Sequence, residues 1–357
     1  MKNSKKSIMH ALSMSILLAW SSTSFAELIV KDNATSSYPA TSTSSSWSTN
    51  DVSQLMDGDS SEFNLPASTT IKTTLRNTQN QPSAVTVDAG HTAPKSTHIQ
   101  DTVLKQNQPS IHARSALVMD AQTGEVLYSK NSNMSVPIAS ITKLMTAVVT
   151  ADAHLDMSKE ITLEPIDFAG AGGKNSSSRL KAGDKMNRAE TLLVALMKSE
   201  NPAAAALART YPEGRASFVT LMNAKAKQLG MTSTHYVEST GLDPHNVSSA
   251  RDLGILVSVA AQYGLIRQFS TTASYDFNLG YRVLKANNTN ALVRNGHWNL
   301  NLSKTGFINE AGRCVVMHAN VNSRPTVVVL LGEPDTVSRN KDATNLLTWL
   351  GTLPKRV

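Results

Sequence analysis

The run Pro137-Ile-Ala-Ser-Ile-Thr-Lys-Leu-Met-Thr-Ala147 places Ser140 three residues before Lys143, at the head of an apolar stretch. Leu144, Met145, Ala147, Val148 and Val149 follow at helical spacing. The pattern therefore predicts a helix starting near Ser140, with the serine and the lysine on one face, one turn apart. That geometry can activate a hydroxyl, which is a poor nucleophile until a base within hydrogen-bond reach takes its proton. A lysine can be that base when burial and nearby cations push it toward neutrality. The helix N-terminus also favours negative charge developing at the serine. On its own, S-x-x-K fits an N-cap serine and a solvated first-turn lysine at least as well as a catalytic pair, so the rest of the chain has to decide.

Two further short patterns fall at the ends of predicted elements. Ser199-Glu-Asn201 lies where one helix stops before Pro202, and Lys304-Thr-Gly306 lies at the end of a predicted strand. With Ser140 and Lys143 they give the order S-x-x-K, S-x-N, K-T-G, with 59 residues from Ser140 to Ser199 and 105 from Ser199 to Lys304. Three ordered motifs, each in fitting local structure, are far more specific than any one of them.

The elements that must position these residues read as follows. Ala113 to Asp120 and Glu125 to Lys130 are β-prone runs around Ala121-Gln-Thr-Gly124, a hairpin. Residues 152–187 are short strands and turns. Within them Gly170, Gly172 and Gly173 form a loop that lacks the ending and following helix of a phosphate loop. The stretch 176–184 reads as a strand with a turn. Arg188 to Lys198, Pro202 to Thr210 and Gly214 to Leu229 carry helical apolar spacing. Ser249-Ala-Arg-Asp252 resembles a capping box opening a helix to about Tyr263. The period then changes to strands at Tyr281–Lys285, Asn299–Ser303, Gly312–Asn320 and Thr326–Leu331, and a last helix runs from about Asn340 to Leu350. The simplest assembly is one antiparallel sheet built from both ends of the domain, with an all-helical block on one side.

Composition narrows the class. The chain has 357 residues, 40% of them hydrophobic, and a formal charge of +7. Residues 1–26 look like a secretory signal: Lys2, Lys5 and Lys6, an apolar stretch from Ile8 to Trp20, and the small-x-small site Ser24-Phe-Ala26. Cleavage there removes three positive charges and leaves 7 − 3 = +4. No basic patch interleaved with aromatic residues exists, so nucleic acid is not an expected partner. From Ala34 to Asn50, 11 of 17 residues are Ser or Thr, and 27–110 as a whole reads as a disordered linker that cannot bury enough surface to offset its ordering entropy. The catalytic domain is then 111–357. The single cysteine, Cys314, excludes an intramolecular disulfide and reads as a small core hydrophobe. His235, His245 and His318 show no zinc-ligand spacing, so neither a metal nor another cofactor is expected.

The ordered motifs resemble those of the penicillin-binding DD-peptidases and serine β-lactamases over about 111–357, most closely the low-molecular-mass D-alanyl-D-alanine endopeptidases of peptidase family S11. Leu196-Met-Lys-Ser-Glu-Asn201, Ser239-Thr-Gly-Leu-Asp243 with His245-Asn-Val-Ser248, and Ser303-Lys-Thr-Gly-Phe-Ile308 with Ala311-Gly-Arg-Cys314 carry the resemblance. It implies an α/β (α+β) DD-peptidase/β-lactamase-like fold, an antiparallel sheet flanked by helices plus a helical subdomain. It implies Ser140 as nucleophile, Lys143 as base and Ser199 as proton relay. It implies Asn201, Lys304, Thr305 and Gly306 as substrate contacts, Lys304 lowering the Lys143 pKa, and backbone N–H groups of Ser140 and Phe307 as oxyanion donors. Arg339 stands where relatives carry a carboxylate-binding arginine, with a surface salt bridge as the alternative. Glu200 departs from the S-D-N or S-G-N form and is expected to point outward. Peptidoglycan peptide stems and β-lactam antibiotics are the implied ligands, with D-alanyl–diaminoacyl cross-links as the substrate and D-alanyl-D-alanine carboxypeptidase as the alternative activity. A β-lactamase is disfavoured because Glu238-Ser-Thr-Gly-Leu242 is the nearest match to a deacylating loop and is wrongly spaced. Retention of both Ser140 and Lys143 disfavours a non-catalytic wall-binding protein. Only 51 residues follow Gly306, and Leu346-Leu-Thr-Trp-Leu350 is too short for an interfacial anchor. The expectation is a periplasmic enzyme without a stable membrane anchor.

Overall fold

The computed structural model describes residues 107–170 and 177–355. The expected signal sequence, nearly all of the expected linker and the central part of the glycine loop lie outside the described residues. Among the described residues no helix is long and apolar enough to cross a membrane.

The first hairpin is β1 (Ser115–Asp120) and β2 (Val126–Lys130), and it joins three strands from the other end of the domain: β9 (Leu300–Ile308), β10 (Gly312–Val321) and β11 (Arg324–Glu333). The sheet order is β2-β1-β11-β10-β9, antiparallel throughout, with Ser115 opposite Leu331 and Val316 opposite Lys304. The ends-joined sheet expected from the sequence is therefore present.

Its central strands read as unbroken apolar runs because both faces are covered. Leu117, Val327, Val329 and Leu331 pack toward the helical block, while their alternating neighbours Val118, Val328 and Leu330 pack against α8 (Thr336–Thr352) through Leu346, Leu347 and Leu350. At roughly 2 kcal/mol per fully buried large aliphatic side chain, these two layers dominate the stability of the sheet.

On the inner face lie α1 (Thr142–Asp152), α2 (Arg188–Met197), α3 (Asn201–Arg209), α4 (Gly214–Gln228), α5 (Ala250–Ala260) and α6 (Gly264–Thr271). In α1 every residue from Thr142 to Ala151 is buried, so it is a central helix and not an amphipathic surface one. Helix α2 opens on a reciprocal cap, in which Asn187 accepts from Glu190 N–H and Glu190 accepts from Asn187 N–H. Helix α5 opens on Ser249, whose Oγ accepts from Asp252 N–H at 3.1 Å.

Short two-stranded pairs complete the frame: β3 (Val136–Pro137) with β6 (Val247–Ser248), β4 (Glu160–Thr162) with β5 (Lys185–Asn187), and β7 (Ser274–Asn278) with β8 (Val283–Asn287). A one-turn helix, α7 (Ala291–Asn295), precedes β9.

Four expectations are revised. Described residues 177–184 are turns and irregular backbone, held by Leu180 N–H on Ser178 Oγ and Lys181 N–H on Asp184 Oδ2, and the strand begins only at Lys185. The first turn at Ser140 is a 3₁₀ segment, Ala139–Ile141, and the α-helix proper starts at Thr142. The strand around Lys304 continues to Ile308, so the K-T-G triad lies inside an element. Helix α8 begins at Thr336, capped by the Asp335 carboxylate, which brings Arg339 into its first turn.

Candidate active site

Three elements converge on Ser140. The 3₁₀ turn carries Ser140 into α1, the link between α2 and α3 carries Ser199 and Asn201, and β9 passes beside the turn with Lys304-Thr305-Gly306. β9 is an edge strand, so one row of its backbone groups has no ladder partner within the sheet. A Cβ built on Gly306 lies 3.1 Å from Ser140 N and 3.0 Å from Ile138 O, so glycine is what lets the strand approach the serine backbone this closely. Two non-glycine residues flanking the site, Ala139 (φ +49) and Ser199 (φ +66), adopt left-handed backbone. Each costs on the order of 1–3 kcal/mol and is held by its surroundings.

Lys143 is 1% exposed, and its Nζ meets three acceptors: Ser140 Oγ at 2.9 Å, Asn201 Oδ1 at 2.5 Å and Thr240 O at 2.6 Å. Burial lowers its pKa to about 7, against the upward pull of Glu238 and Glu200. A neutral lysine has two N–H bonds and one lone pair. With Asn201 Oδ1 and Thr240 O accepting the two N–H bonds, the lone pair is left facing the Ser140 hydroxyl, the arrangement a general base requires.

Lys304 is equally buried, its Nζ 2.8 Å from Ser199 Oγ and 2.8 Å from Thr305 O. Its pKa lies well below the ordinary lysine range, first through burial and then through repulsion by Lys143 and Arg339. Burial is the leading cause at both lysines, and the repulsion between the two cations disfavours charging both at once. Thr305 Oγ1 is 2.7 Å from Thr289 Oγ1. Asn201 commits its Oδ1 to Lys143, so the expected substrate contact has to use its Nδ2. Phe307 is 44% exposed at the end of the triad.

Arg339 is 5% exposed and hydrogen-bonds only Asn340 Oδ1, at 3.2 and 2.8 Å, with no ion pair among the described residues. The surface salt-bridge alternative is thereby removed. Burial and the neighbouring Arg313 lower its pKa, and Arg339 in turn disfavours the charge on Lys304. Glu333 is the acid within reach of this cationic group, and its own pKa is raised to about 8 by burial and by Asp342.

Glu200 does not point outward. It is 6% exposed, Ser178 Oγ donates to its Oε2 at 2.5 Å, and burial raises its pKa.

The sequence reading missed the loop 238–246 as a structural part of the site. Both Glu238 oxygens accept backbone N–H groups, from Thr240 and Gly241, and Asn246 Nδ2 donates to Oε1 at 2.7 Å. This carboxylate is occupied as a loop cap, which removes it as a deacylating base. Asn246 also receives Val237 N–H on Oδ1 at 2.7 Å, and its carbonyl accepts Ile138 N–H at 3.1 Å, so it ties the loop to the serine turn. Gly241, at φ +84, sits so close that a Cβ would fall 1.9 Å from Ala139 O. The signal was the Ser239-Thr-Gly-Leu-Asp243 and His245-Asn-Val-Ser248 stretch. The side chain of His245 is 80% exposed and pairs with Asp243, while its buried neighbour Asn246 does the joining. A cavity of about 450 Å³ opens beside Asn201 and Thr240, lined by Ala205, Val219 and Leu242.

A nucleophile, an adjacent buried amine, a second serine–lysine pair and an edge strand beside the serine define a serine hydrolase of the acyl-transfer type. Residues 102–335 match the family described as D-alanyl-D-alanine carboxypeptidase, peptidase S11. The chain is 46% identical over 252 residues to a D-alanyl-D-alanine endopeptidase of Pseudomonas aeruginosa and 43% identical over 248 residues to one of Escherichia coli, in each case covering 69% of this chain and 79% of the relative. The crystal structure of the Streptomyces K15 DD-transpeptidase superposes with a TM-score of 0.63 at 27% identity, covering 69% of this chain and 99% of that one. The chain belongs to peptidase family S11.

Proposed function

We propose that the protein is a DD-endopeptidase that hydrolyses D-alanyl–diaminoacyl cross-links between peptidoglycan stems and is acylated by penicillins at the same serine. The observation that carries the chemistry is the accounting at Lys143 Nζ, where two protein acceptors fix two N–H bonds and leave the lone pair for Ser140.

Ser140 Oγ attacks the D-alanyl carbonyl carbon while Lys143 takes its proton. The oxyanion forms beside the backbone N–H groups of Ser140 and Phe307. Ser199, hydrogen-bonded by Lys304, relays that proton from Lys143 to the departing amine, and the C–N bond breaks to leave an ester on Ser140 and a neutral Lys143. Water then hydrolyses the ester, with Lys143 again taking the proton. Lys304, Thr305 and Arg339 hold the carboxylate beside the scissile bond, Gly306 admits the substrate strand, and Asn201 Nδ2 holds the substrate backbone. No metal or other cofactor has a part in these steps.

The endopeptidase reading rests on the similarity to two relatives named for that activity, and on the Ser-Glu-Asn201 and Gly-Arg-Cys314 surroundings of the motifs. The family as a whole is described by the carboxypeptidase activity, which is the competing reading. We place the enzyme in the periplasm, exported by a signal at 1–26 and joined to it by a linker over 27–110. Purified protein incubated with sacculi is expected to convert dimeric muropeptides to monomers faster than it releases D-alanine from monomeric pentapeptide. Free D-alanine as the dominant product would establish the carboxypeptidase instead.

A further inference from the structure

Beyond the motif residues, β9 and β10 carry a stacked side-chain pair, Phe307 and Arg313. Arg313 is directly opposite Phe307 in the β9–β10 register, so the two side chains share a face. Thr305, two residues before Phe307, lies on that face as well, whereas Gly306 faces Ser140. The Arg313 guanidinium is stacked over the Phe307 ring, 3.5 Å from its centroid. Stacking occupies the flat face of a guanidinium and leaves its N–H donors pointing outward in the plane. Arg313 makes no side-chain hydrogen bond and no ion pair among the described residues. Phe307 is 44% exposed. Arg313 and Arg294 both stand within Coulombic reach of the buried Arg339, and the acid that reaches it, Glu333 on β11, has its own pKa raised to about 8 by burial and by Asp342.

A leaving D-alanine brings one carboxylate, the one beside the scissile bond, and Lys304, Thr305 and Arg339 suffice for it. A cross-link brings a whole second stem as the leaving group, and a stem peptide carries further carboxylates, including its own C-terminus. We propose that Arg313, held flat on Phe307, binds the C-terminal carboxylate of the leaving stem and so determines the preference for cross-links over terminal D-alanine. This rests on the endopeptidase reading and adds the residue that discriminates between the two leaving groups.

The ratio of kcat/KM on a cross-linked muropeptide dimer to kcat/KM for D-alanine release from pentapeptide is the readout. A charge-assisted bidentate contact predicts that Arg313→Ala shifts this ratio toward pentapeptide by about tenfold or more. Arg313→Lys should recover part of the shift. Penicillin labelling that persists in both variants shows that they are folded. Independently of any variant, the wild-type enzyme should lose a similar factor on a dimer whose leaving stem ends in a carboxamide. An unchanged ratio in Arg313→Ala, or full activity on the amidated dimer, overturns the assignment of Arg313 while leaving the endopeptidase intact. A wild-type enzyme that fails to cut the unmodified dimer overturns the endopeptidase reading itself.

Discussion

The rate at which a penicillin acylates Ser140 should follow the protonation of Lys143. The pKa of this amine is lowered from 10.5 to about 7. At 1.36 kcal/mol per pH unit, burial therefore exceeds the attraction of Glu238 and Glu200 by roughly 5 kcal/mol. The active form is the neutral amine. Its fraction is about one half near pH 7, about a tenth near pH 6 and about a hundredth near pH 5, so the second-order acylation constant should fall about tenfold per unit on the acid side and level off above about pH 8. Glu200 supplies an internal test of the sign. Its charge stabilises the Lys143 ammonium, so Glu200→Gln should move the acid limb to lower pH and raise acylation near pH 6. Stopped-flow acylation with a chromogenic β-lactam between about pH 5 and pH 9 measures both curves. A flat profile, or a limb that moves to higher pH in Glu200→Gln, refutes the assignment of Lys143 as base.

Gly241→Ala places a methyl group 1.9 Å from Ala139 O on a backbone at φ +84. It should cost about 3 kcal/mol or more by thermal denaturation and abolish penicillin labelling. Arg339→Ala should lower kcat/KM on peptide substrates about a hundredfold through loss of a charge-assisted carboxylate contact, without lowering the melting temperature, because the guanidinium is buried with only Asn340 as partner. A large fall in stability would give Arg339 a structural role. Glu333 is fully buried on β11, and burial together with Asp342 raises its carboxyl pKa to about 8. The unfolded value is near 4.5, so the folded chain holds this proton more tightly, and the associated stability is present at low pH and lost as pH rises through about 8. Glu333→Gln should therefore melt above the wild type at about pH 9 and close to it at about pH 5, and the opposite order would contradict the reading.

The parts of the fold that were legible in the sequence are those fixed by periodicity. The first hairpin, helices α2 to α5 and strands β10 and β11 show apolar spacing strong enough to place them within a few residues. Helix α6 follows α5 after only Ala261, Gln262 and Tyr263, so the two read as one helix that fades out. Strand β7 was missed because Phe277 is its only buried residue, which leaves too little apolar alternation to mark a strand. The S-x-x-K, S-x-N and K-T-G residues were legible because side chains of stated chemistry identify them. The loop that seats Lys143 was not, because it acts through the Thr240 carbonyl and through Glu238 as a backbone cap, and such roles leave no residue-type signature. Glu200 was misplaced for a related reason: a glutamate reads as exposed until Ser178, 22 residues earlier, is known to cover it. The burial of Arg339 depends on where α8 begins, and the Asp335 cap that fixes this start was not read.

The proposed chemistry turns on an ester at Ser140 whose formation requires Lys143. Intact-mass spectrometry of the wild-type protein after incubation with benzylpenicillin tests it most directly. A single added penicilloyl group is expected, located by proteolysis to the peptide containing Ser140, with the outcomes for two variants following from the same chemistry. No adduct is expected in Ser140→Ala, and acylation on the order of 10³-fold or more slower in Lys143→Ala. An adduct at another residue, or wild-type acylation of the Lys143→Ala protein, contradicts this chemistry.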